Sequence, residues 1–292
     1  STASAVATHQ TGNCTRFPGL LPRMSGARRT KLSSNIGPRP HETDMSDNPR
    51  QIHIFYRHVH VKANARSRDP NKTRPEWFSH EICFRNLLDT VTRDPLGHRV
   101  TITVMYDGPL EDLQTDFIAP YVASKDARVR LQLLQAGSDR NSFLITLGHA
   151  NGLPLPDTDL LYFLENDYLH QHGWISKVFE LYDSGQAFDM VSLYDHKDKY
   201  MLPMYASLTA RLCLSRSHHW RTTPSTCASF LLSKAALARD HDALTSGQTD
   251  YYFFREVVEN RGRVLLSPIP GLSTHAMEGY LSPNVDWAAL AQ

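Results

Sequence analysis

From residue 51 to about residue 195, apolar runs and amphipathic stretches take turns along the chain. QIHIFYRHV reads as a strand, and RPEWFSHEICFRNLLDTV has helical spacing, with Trp77, Ile82, Leu87, Leu88 and Val91 near one face. HRVTITVMYDG predicts a strand ending at Asp107-Gly108, TDFIAPYVAS a short helix, and RVRLQLLQAG another strand. DRNSFLITLGHANGL predicts a helix with Asp139 as its N-cap. DLLYFLEND then reads as a strand, GWISKVFELYDSG as a helix and FDMVSLYDH as a strand. This alternation predicts an α/β fold with a mostly parallel sheet and helices on both faces. The later part is less regular: RLCLSRS and STCASFLLSK read as strands, TDYYFFREVVENRG as a helix, and RVLLSPIPG as a last strand. There is no internal repeat.

Residues 1 to about 50 are different, rich in Ser, Thr, Arg, Gly and Pro without periodicity, and are expected to be extended or disordered. Met45, just ahead of the first strand, is a candidate start with the upstream residues an extension. The segment is alternatively an arm on a partner subunit. The expected organisation is this segment followed by one catalytic domain, 51–292, with halves 51–195 and 196–292.

Composition narrows the function classes. Lys and Arg number 31 against 30 Asp and Glu, too balanced for the basic footprint of a nucleic-acid binder. No apolar run approaches the roughly 20 residues that span a bilayer, and no secretory apolar core follows the N-terminus. Cys14, Cys83, Cys213 and Cys227 show no C-x-x-C spacing and read as free thiols. A cytoplasmic protein is expected.

In a parallel sheet the C-terminal strand ends share one rim, where ligands bind. That rim collects Tyr56, Arg57 and His58, then Asp107, then Gly137 and Ser138, then Glu165-Asn166-Asp167. Glu165 and Asp167 repel each other unless something offsets their charge. They are a solvated strand end, a general acid/base pair, or ligands of a hard divalent cation that also takes phosphate oxygens. The loop GSDRNS, with Ser138 and Arg140, opens a helix whose N-terminal amides favour anions.

An α/β half, an acidic motif ending a central strand and a less regular second half resemble a GT-A glycosyltransferase. YFLENDYL is similar to the Glu-Asp-Asp form of the D-x-D motif in family-2-like enzymes, with Asn166 at the middle position. The resemblance covers about residues 51 to 280. It implies a GT-A fold and transfer of a sugar from a nucleotide-sugar donor to a carbohydrate or other hydroxyl acceptor. It implies donor contacts at Tyr56, Arg57, His58, Asp107, Ser138, Arg140, Glu165 and Asn166. It also implies Mn2+ or Mg2+ on Asp167, with His275 of PGLSTHA completing the metal shell. An inverting enzyme needs a carboxylate base at a helix N-terminus after the acceptor-side strands, which points to Asp250, also a first-turn helix residue. Thr249 stands where many relatives carry a second acid.

Three other stretches carry candidate chemistry. In SHHWRTTPSTCASF, His219, Trp220 and Arg221 are acceptor candidates: the indole for a sugar face, the guanidinium for an anion. Alternatively Trp220 is core. YDHKDKY is a pocket wall or a solvated loop. In HVHVKANARSRDPNKTRPEW, the cations Lys62, Arg66, Arg68, Lys72 and Arg74 meet a diphosphate or an anionic acceptor, or line a solvated loop. Two rivals remain. A sugar-1-phosphate nucleotidyltransferase shares the plan, although FYRHVHVK lacks the expected glycines. A non-catalytic nucleotide- or sugar-binding module would bind donor without turnover.

Overall fold

A computed structural model describes residues 49–60, 72–124, 126–246 and 249–292. The first half supplies strands β1 (Ile52–Val59), β2 (Val100–Asp107), β3 (Val129–Leu134), β4 (Leu160–Glu165), β5 (Tyr168–His170) and β6 (Met190–Val191). The second supplies β7 (Leu212–Leu214), β8 (His219–Thr222), β9 (Phe230–Ser233), β10 (Leu265–Ile269) and β11 (Ser273–His275). The helices are α1 (His80–Arg93), α2 (Leu110–Leu113), α3 (Ala119–Val122), α4 (Asp139–Gly152), α5 (Trp174–Tyr182) and α6 (Asp198–Met201). They continue with α7 (Lys234–Ser246), α8 (Asp250–Phe254) and α9 (Trp287–Leu290).

Nine strands form one sheet in the order β3-β2-β1-β4-β9-β6-β10-β8-β7. The strands β3, β2, β1 and β4 pair in parallel, as do β6 and β10, while β9 and β8 run against their neighbours. The mostly parallel sheet flanked by helices is therefore as expected. A second, two-stranded sheet pairs β11 with β5.

Strand period sorts the core into two layers. Ile52, Ile54 and Tyr56 of β1 and Leu160, Tyr162 and Leu164 of β4 join Phe84 and Leu87 of α1 and Trp174 and Val178 of α5. Phe55 of β1 and Leu161 and Phe163 of β4 join Phe143 and Leu147 of α4, Leu237 of α7 and Phe253 of α8. Both faces are covered, which is why these strands read as near-continuous apolar runs.

Two helix starts differ from the pattern reading. The first predicted helix, drawn from Arg74, begins only at His80. Ser79 is extended and its side chain accepts the Ile82 amide at 3.0 Å, an N-cap. Arg74 precedes Pro75, which disfavours helix there, and residues 72–79 are left to cross the rim. At α4 the N-cap is Ser138, which accepts from the Asn141 amide at 3.2 Å, while Asp139 is the first helical residue. α8 runs on into a π-helical turn, Arg255–Asn260.

Candidate functional site

Register creates the first part of the site. Arg57 and Glu165 are direct partners in the parallel pairing of β1 and β4. Both continue the face that carries Phe55 and Phe163, so both emerge beside the N-terminus of α4. There Arg57 Nη2 lies 3.1 Å from Glu165 Oε1, and Nη1 donates to Asp139 Oδ1 at 3.0 Å and to its carbonyl at 3.1 Å. The guanidinium lies over the Phe143 ring, 5.3 Å from its centre. Burial alone would lower its pKa, but Asp139, Glu165 and Asp250 more than offset that and hold it above its ordinary value. Asp250, the first residue of α8, therefore lies within the field of this cluster. Glu165 also receives a hydrogen bond from Ser229 Oγ at 3.3 Å. Burial pushes its carboxyl upward; Arg57 pulls it down, and Asp167 and Asp139 push it up again, leaving it raised.

Asp167 sits in the opposite electrostatic setting. It is 3% exposed, and its Oδ2 accepts from Arg74 Nη2 at 2.7 Å and from His275 Nε2 at 3.0 Å, with Lys72 Nζ at 3.6 Å. The Asp167 carbonyl accepts from the Ala276 amide at 2.8 Å, and Arg74 Nη1 donates to the Ala276 carbonyl at 2.7 Å. The His275 ring stacks on Tyr168, 5.2 Å between centres and 4° from coplanar. This arrangement follows from β5 and β11, whose pairing aligns His275 with Tyr168. Burial pushes the Asp167 carboxyl up, but His275, Lys72 and Arg74 outweigh it and hold the group well below the carboxylate range.

Between the two acids, Asn166 is tied inward. Its side-chain amide donates to His58 Nδ1 at 3.1 Å, and its carbonyl accepts from His80 Nδ1 at 3.1 Å and from Tyr56 Oη at 3.4 Å. His58, 1% exposed, donates through Nε2 to Asp116 at 3.0 Å, and His60 lies 3.2 Å from the same carboxylate. Tyr56 and His58 thus act on the turn from beneath. Asp116 and Ser229 had no signal in local pattern: each reaches its partner from a distant segment.

Other expected residues lie elsewhere. Asp107 ties β2 to the end of β3, accepting the Ala136 amide at 3.0 Å. Ser138 is occupied as a cap. Exposed Arg140 reaches the carbonyl of Thr245 at 3.5 Å. Trp220 is fully buried, and its Nε1 donates to Ser215 Oγ at 3.1 Å, so its ring offers no face to a sugar. Arg221 pairs with buried Asp195 at 2.8 Å, and Asp195 also accepts from Tyr200 Oη at 2.8 Å. His219, Trp220 and Arg221 belong to β8, four strand positions from β4, or about 19 Å at the usual spacing. Lys62, Arg66 and Arg68 lie outside the described residues.

A cavity of about 380 Å³ adjoins α8, lined by Tyr205, Ser207, Thr209, Ser225, Tyr251 and Arg255 among others. Cys83, Cys213 and Cys227 are buried free thiols; Cys14 lies outside the described residues. No helix among the described residues is long and apolar enough to cross a membrane.

The expected metal pair, Asp167 and His275, does meet, but the donor set as arranged does not fit a bound divalent ion. An ionised carboxylate only accepts, so His275 Nε2 carries the proton of their hydrogen bond and has no lone pair there for a metal. Oδ1 of Asp167 is buried and makes no hydrogen bond, which leaves one oxygen. A dication there would also meet the positive charge of the Arg74 guanidinium, which already donates to Oδ2 at 2.7 Å. Among the described residues no group of three or more His, Cys, Asp and Glu side chains is arranged to hold a metal.

No family model matches the sequence, and no curated protein matches it. Solved structures do. GalNAc-T7, solved with UDP, GalNAc and Mn2+, superposes with a TM-score of 0.51 at 10% identity, over 81% of this chain and 46% of that one. S. aureus TarS (residues 1–349) gives 0.47 at 11% identity, over 74% of this chain and 57% of that one. Mouse xyloside xylosyltransferase 1 gives 0.42 at 10% identity, over 74% and 84%. The chain spans roughly half the length of the first two. The likeness to GalNAc-T7 establishes the fold: this is the GT-A fold of nucleotide-sugar glycosyltransferases.

Proposed function

We propose that the chain is a glycosyltransferase that moves a sugar from a nucleotide-sugar donor to an acceptor hydroxyl with inversion. The observation that carries this reading is the placement of Glu165 and Asp167 at the C-terminal end of β4, each in its own cationic setting, on the ligand-binding rim of a GT-A sheet. The donor lies across that rim, its ribose near Glu165 and its diphosphate near Asp167 and its cations. Arg57 holds Glu165 and Asp139 in place. The acceptor enters from the cavity beside α8, whose hydroxyls and two tyrosine rings suit a sugar.

Asp250 takes the acceptor proton as that oxygen attacks the anomeric carbon. The bond from that carbon to the phosphate oxygen breaks, and the nucleoside diphosphate leaves. GalNAc-T7 was solved with Mn2+. The Mn2+ or Mg2+ expected from the sequence is not carried into this reading, because Arg74 and His275 hold Oδ2 of Asp167 and only its Oδ1 is left as a donor atom. The buried thiols Cys83, Cys213 and Cys227 support a reducing, cytoplasmic setting.

The test is release of free nucleotide from UDP-, GDP-, CMP- and dTDP-sugars, alone and with saccharide acceptors, by the wild type and by Asp167→Ala. Release that depends on Asp167 supports the reading and names the donor. Pyrophosphate-dependent formation of a nucleoside triphosphate would instead identify a nucleotidyltransferase. Binding of donor without release under any acceptor would identify a binding module.

A further inference from the structure

Exposed apolar surface is concentrated in one part of the fold. Of the twelve large apolar side chains exposed among the described residues, eight lie between Tyr200 and Leu214 or at Tyr251 and Tyr252. The stretch 200–214 reads YMLPMYASLTARLCL, with Arg211 its only charged residue, and within it only Cys213 is buried. Met201 and Leu212 are 52% and 57% exposed. These side chains share one surface. Met204, Leu208 and Tyr251 line the same cavity, and the Tyr252 ring lies 5.6 Å from that of Tyr251. Leu212 is the register partner of Arg221, whose guanidinium lies over the Tyr200 ring at 5.4 Å. Arg221 is aligned in turn with Ser267 of β10, two residues from Leu265, which shares a core cluster with Phe253 and Phe254 of α8. Strand period therefore puts Leu212 and Leu214 on the sheet face that α8 covers.

The charge on this surface is one-sided. From residue 190 to residue 238 the acids are Asp195 and Asp198, and both are buried. Arg211 and Arg216 are exposed and Lys197 is half-buried. The Arg211 guanidinium reaches the Ala187 carbonyl at 3.3 Å and no carboxylate among the described residues. Acids that come from other segments are engaged: Glu180 with Arg216 at 3.3 Å, Glu259 with Arg255 at 3.0 Å, and Asp250 in the field of Arg57. From this we infer that residues 197–216, with Tyr251 and Tyr252, form a docking surface for an anionic lipid bilayer. Methionine and leucine side chains enter the acyl boundary, tyrosine rings sit at headgroup level, and the arginines meet lipid phosphates. The chain lies on the bilayer there, since no helix among the described residues is long and apolar enough to cross one. A second copy of the chain fits this surface less well, because a two-fold contact would bring two sets of the same cations together. Met204 and Leu208 belong both to this surface and to the cavity, so docking sets the cavity beside the headgroups.

The experiment is co-sedimentation of the full chain with vesicles of phosphatidylcholine alone and of phosphatidylcholine with roughly 30% phosphatidylglycerol, at low and high salt. The chain should partition onto the anionic vesicles at least about tenfold more strongly than onto the neutral ones, and the excess should fall as salt rises. The double variant Met201→Asp, Leu212→Asp should lose partitioning by about tenfold or more, and Arg211→Glu should lose most of the preference for anionic vesicles. All three positions are exposed, so circular dichroism should be native; Arg211→Glu gives the answer if the double variant does not fold. A wild type that stays in the supernatant with both vesicles would overturn the inference, and so would equal partitioning onto both. Wild-type partitioning in the folded variants would overturn it as well. A dimer seen by light scattering, dissociated by the double variant and indifferent to vesicles, would give the surface to a second copy instead.

Discussion

Arg74 Nη2 and Asp167 Oδ2 lie 2.7 Å apart although 93 residues separate them in sequence. Both side chains are buried, at 10% and 5% exposed. Removing one partner of such a pair leaves an uncompensated buried charge, and the usual cost is roughly 3 kcal/mol or more. Asp167→Asn keeps the shape and removes the charge. Chemical denaturation at neutral pH should show it less stable than wild type by roughly 3 kcal/mol; an unchanged midpoint would mean the pair contributes little.

The same pair fixes a pH dependence. Asp167 is held well below the carboxylate range in the folded chain by His275, Lys72 and Arg74 against the effect of burial. Its stabilising contribution is therefore complete above its unfolded pKa, about 3.9, and is lost as the pH falls through the lower folded value. The stability gap between wild type and Asp167→Asn should narrow as the pH falls below about 4. A gap that stays constant would contradict the depressed pKa.

Two residues away, Glu165 should behave with the opposite sign. Burial raises it, and Arg57 only partly offsets this. A carboxyl raised in the folded state takes up its proton earlier there than in the unfolded chain. Its contribution is present below the unfolded pKa, about 4.3, and is lost as the pH rises through the folded value. Glu165→Gln should lie within about 1 kcal/mol of wild type at neutral pH, with the balance moving towards wild type in acid. Opposite slopes from the two neighbours in one denaturation series would identify them as electrostatically distinct sites.

Most of the sheet was legible because strands buried on both faces write themselves as apolar runs. β1, β2, β3 and β4 were found within a few residues, and so was the rim that they share. α7 was missed. Its KAALARDHDALTS sequence looks polar because Lys234 and Asp240 are buried in contacts with distant groups: Lys234 with the carbonyls of Ala150 and Asn151, Asp240 with Arg263. β5 and β11 are three residues each and are specified only by each other. The acidic motif was legible as chemistry, but its partners were not. Arg57 is placed by register, which the sequence does not print, while Arg74 is placed by a helix that starts six residues later than its periodicity suggested. Trp220 illustrates the reverse error, a residue conspicuous by type whose surroundings are core.

Trp220→Ala separates those two roles. The ring is fully buried in the main core, and Ser215 satisfies its N–H. Truncation of a buried aromatic of this size costs roughly 3–5 kcal/mol. Denaturation should register that loss, while the Kd for the preferred nucleotide, measured at a temperature where the variant is folded, should stay at the wild-type value. Weaker nucleotide or acceptor binding with normal stability would restore Trp220 to the site.

The assignment of the base has the sharpest outcome. Asp250 opens α8 after Thr249, and its charge reaches Arg57 on the rim, while Tyr251 next to it lines the cavity. Under the proposed transfer a base must lie between donor and acceptor, and Asp250 is the first-turn acid of the helix between Arg57 and the cavity. Asp250→Asn keeps a side chain of the same size, and its partly buried first-turn helix position limits the folding cost to about 1 kcal/mol. Loss of a positioned base typically costs 10²–10⁴-fold in rate, so sugar transfer should fall by about that factor. The Kd for the nucleoside diphosphate should change by less than about threefold, under 0.7 kcal/mol. Transfer that survives in Asp250→Asn would move the proton to another acceptor, and Glu165, raised by burial and 21% exposed at its side chain, would be the next carboxylate to replace.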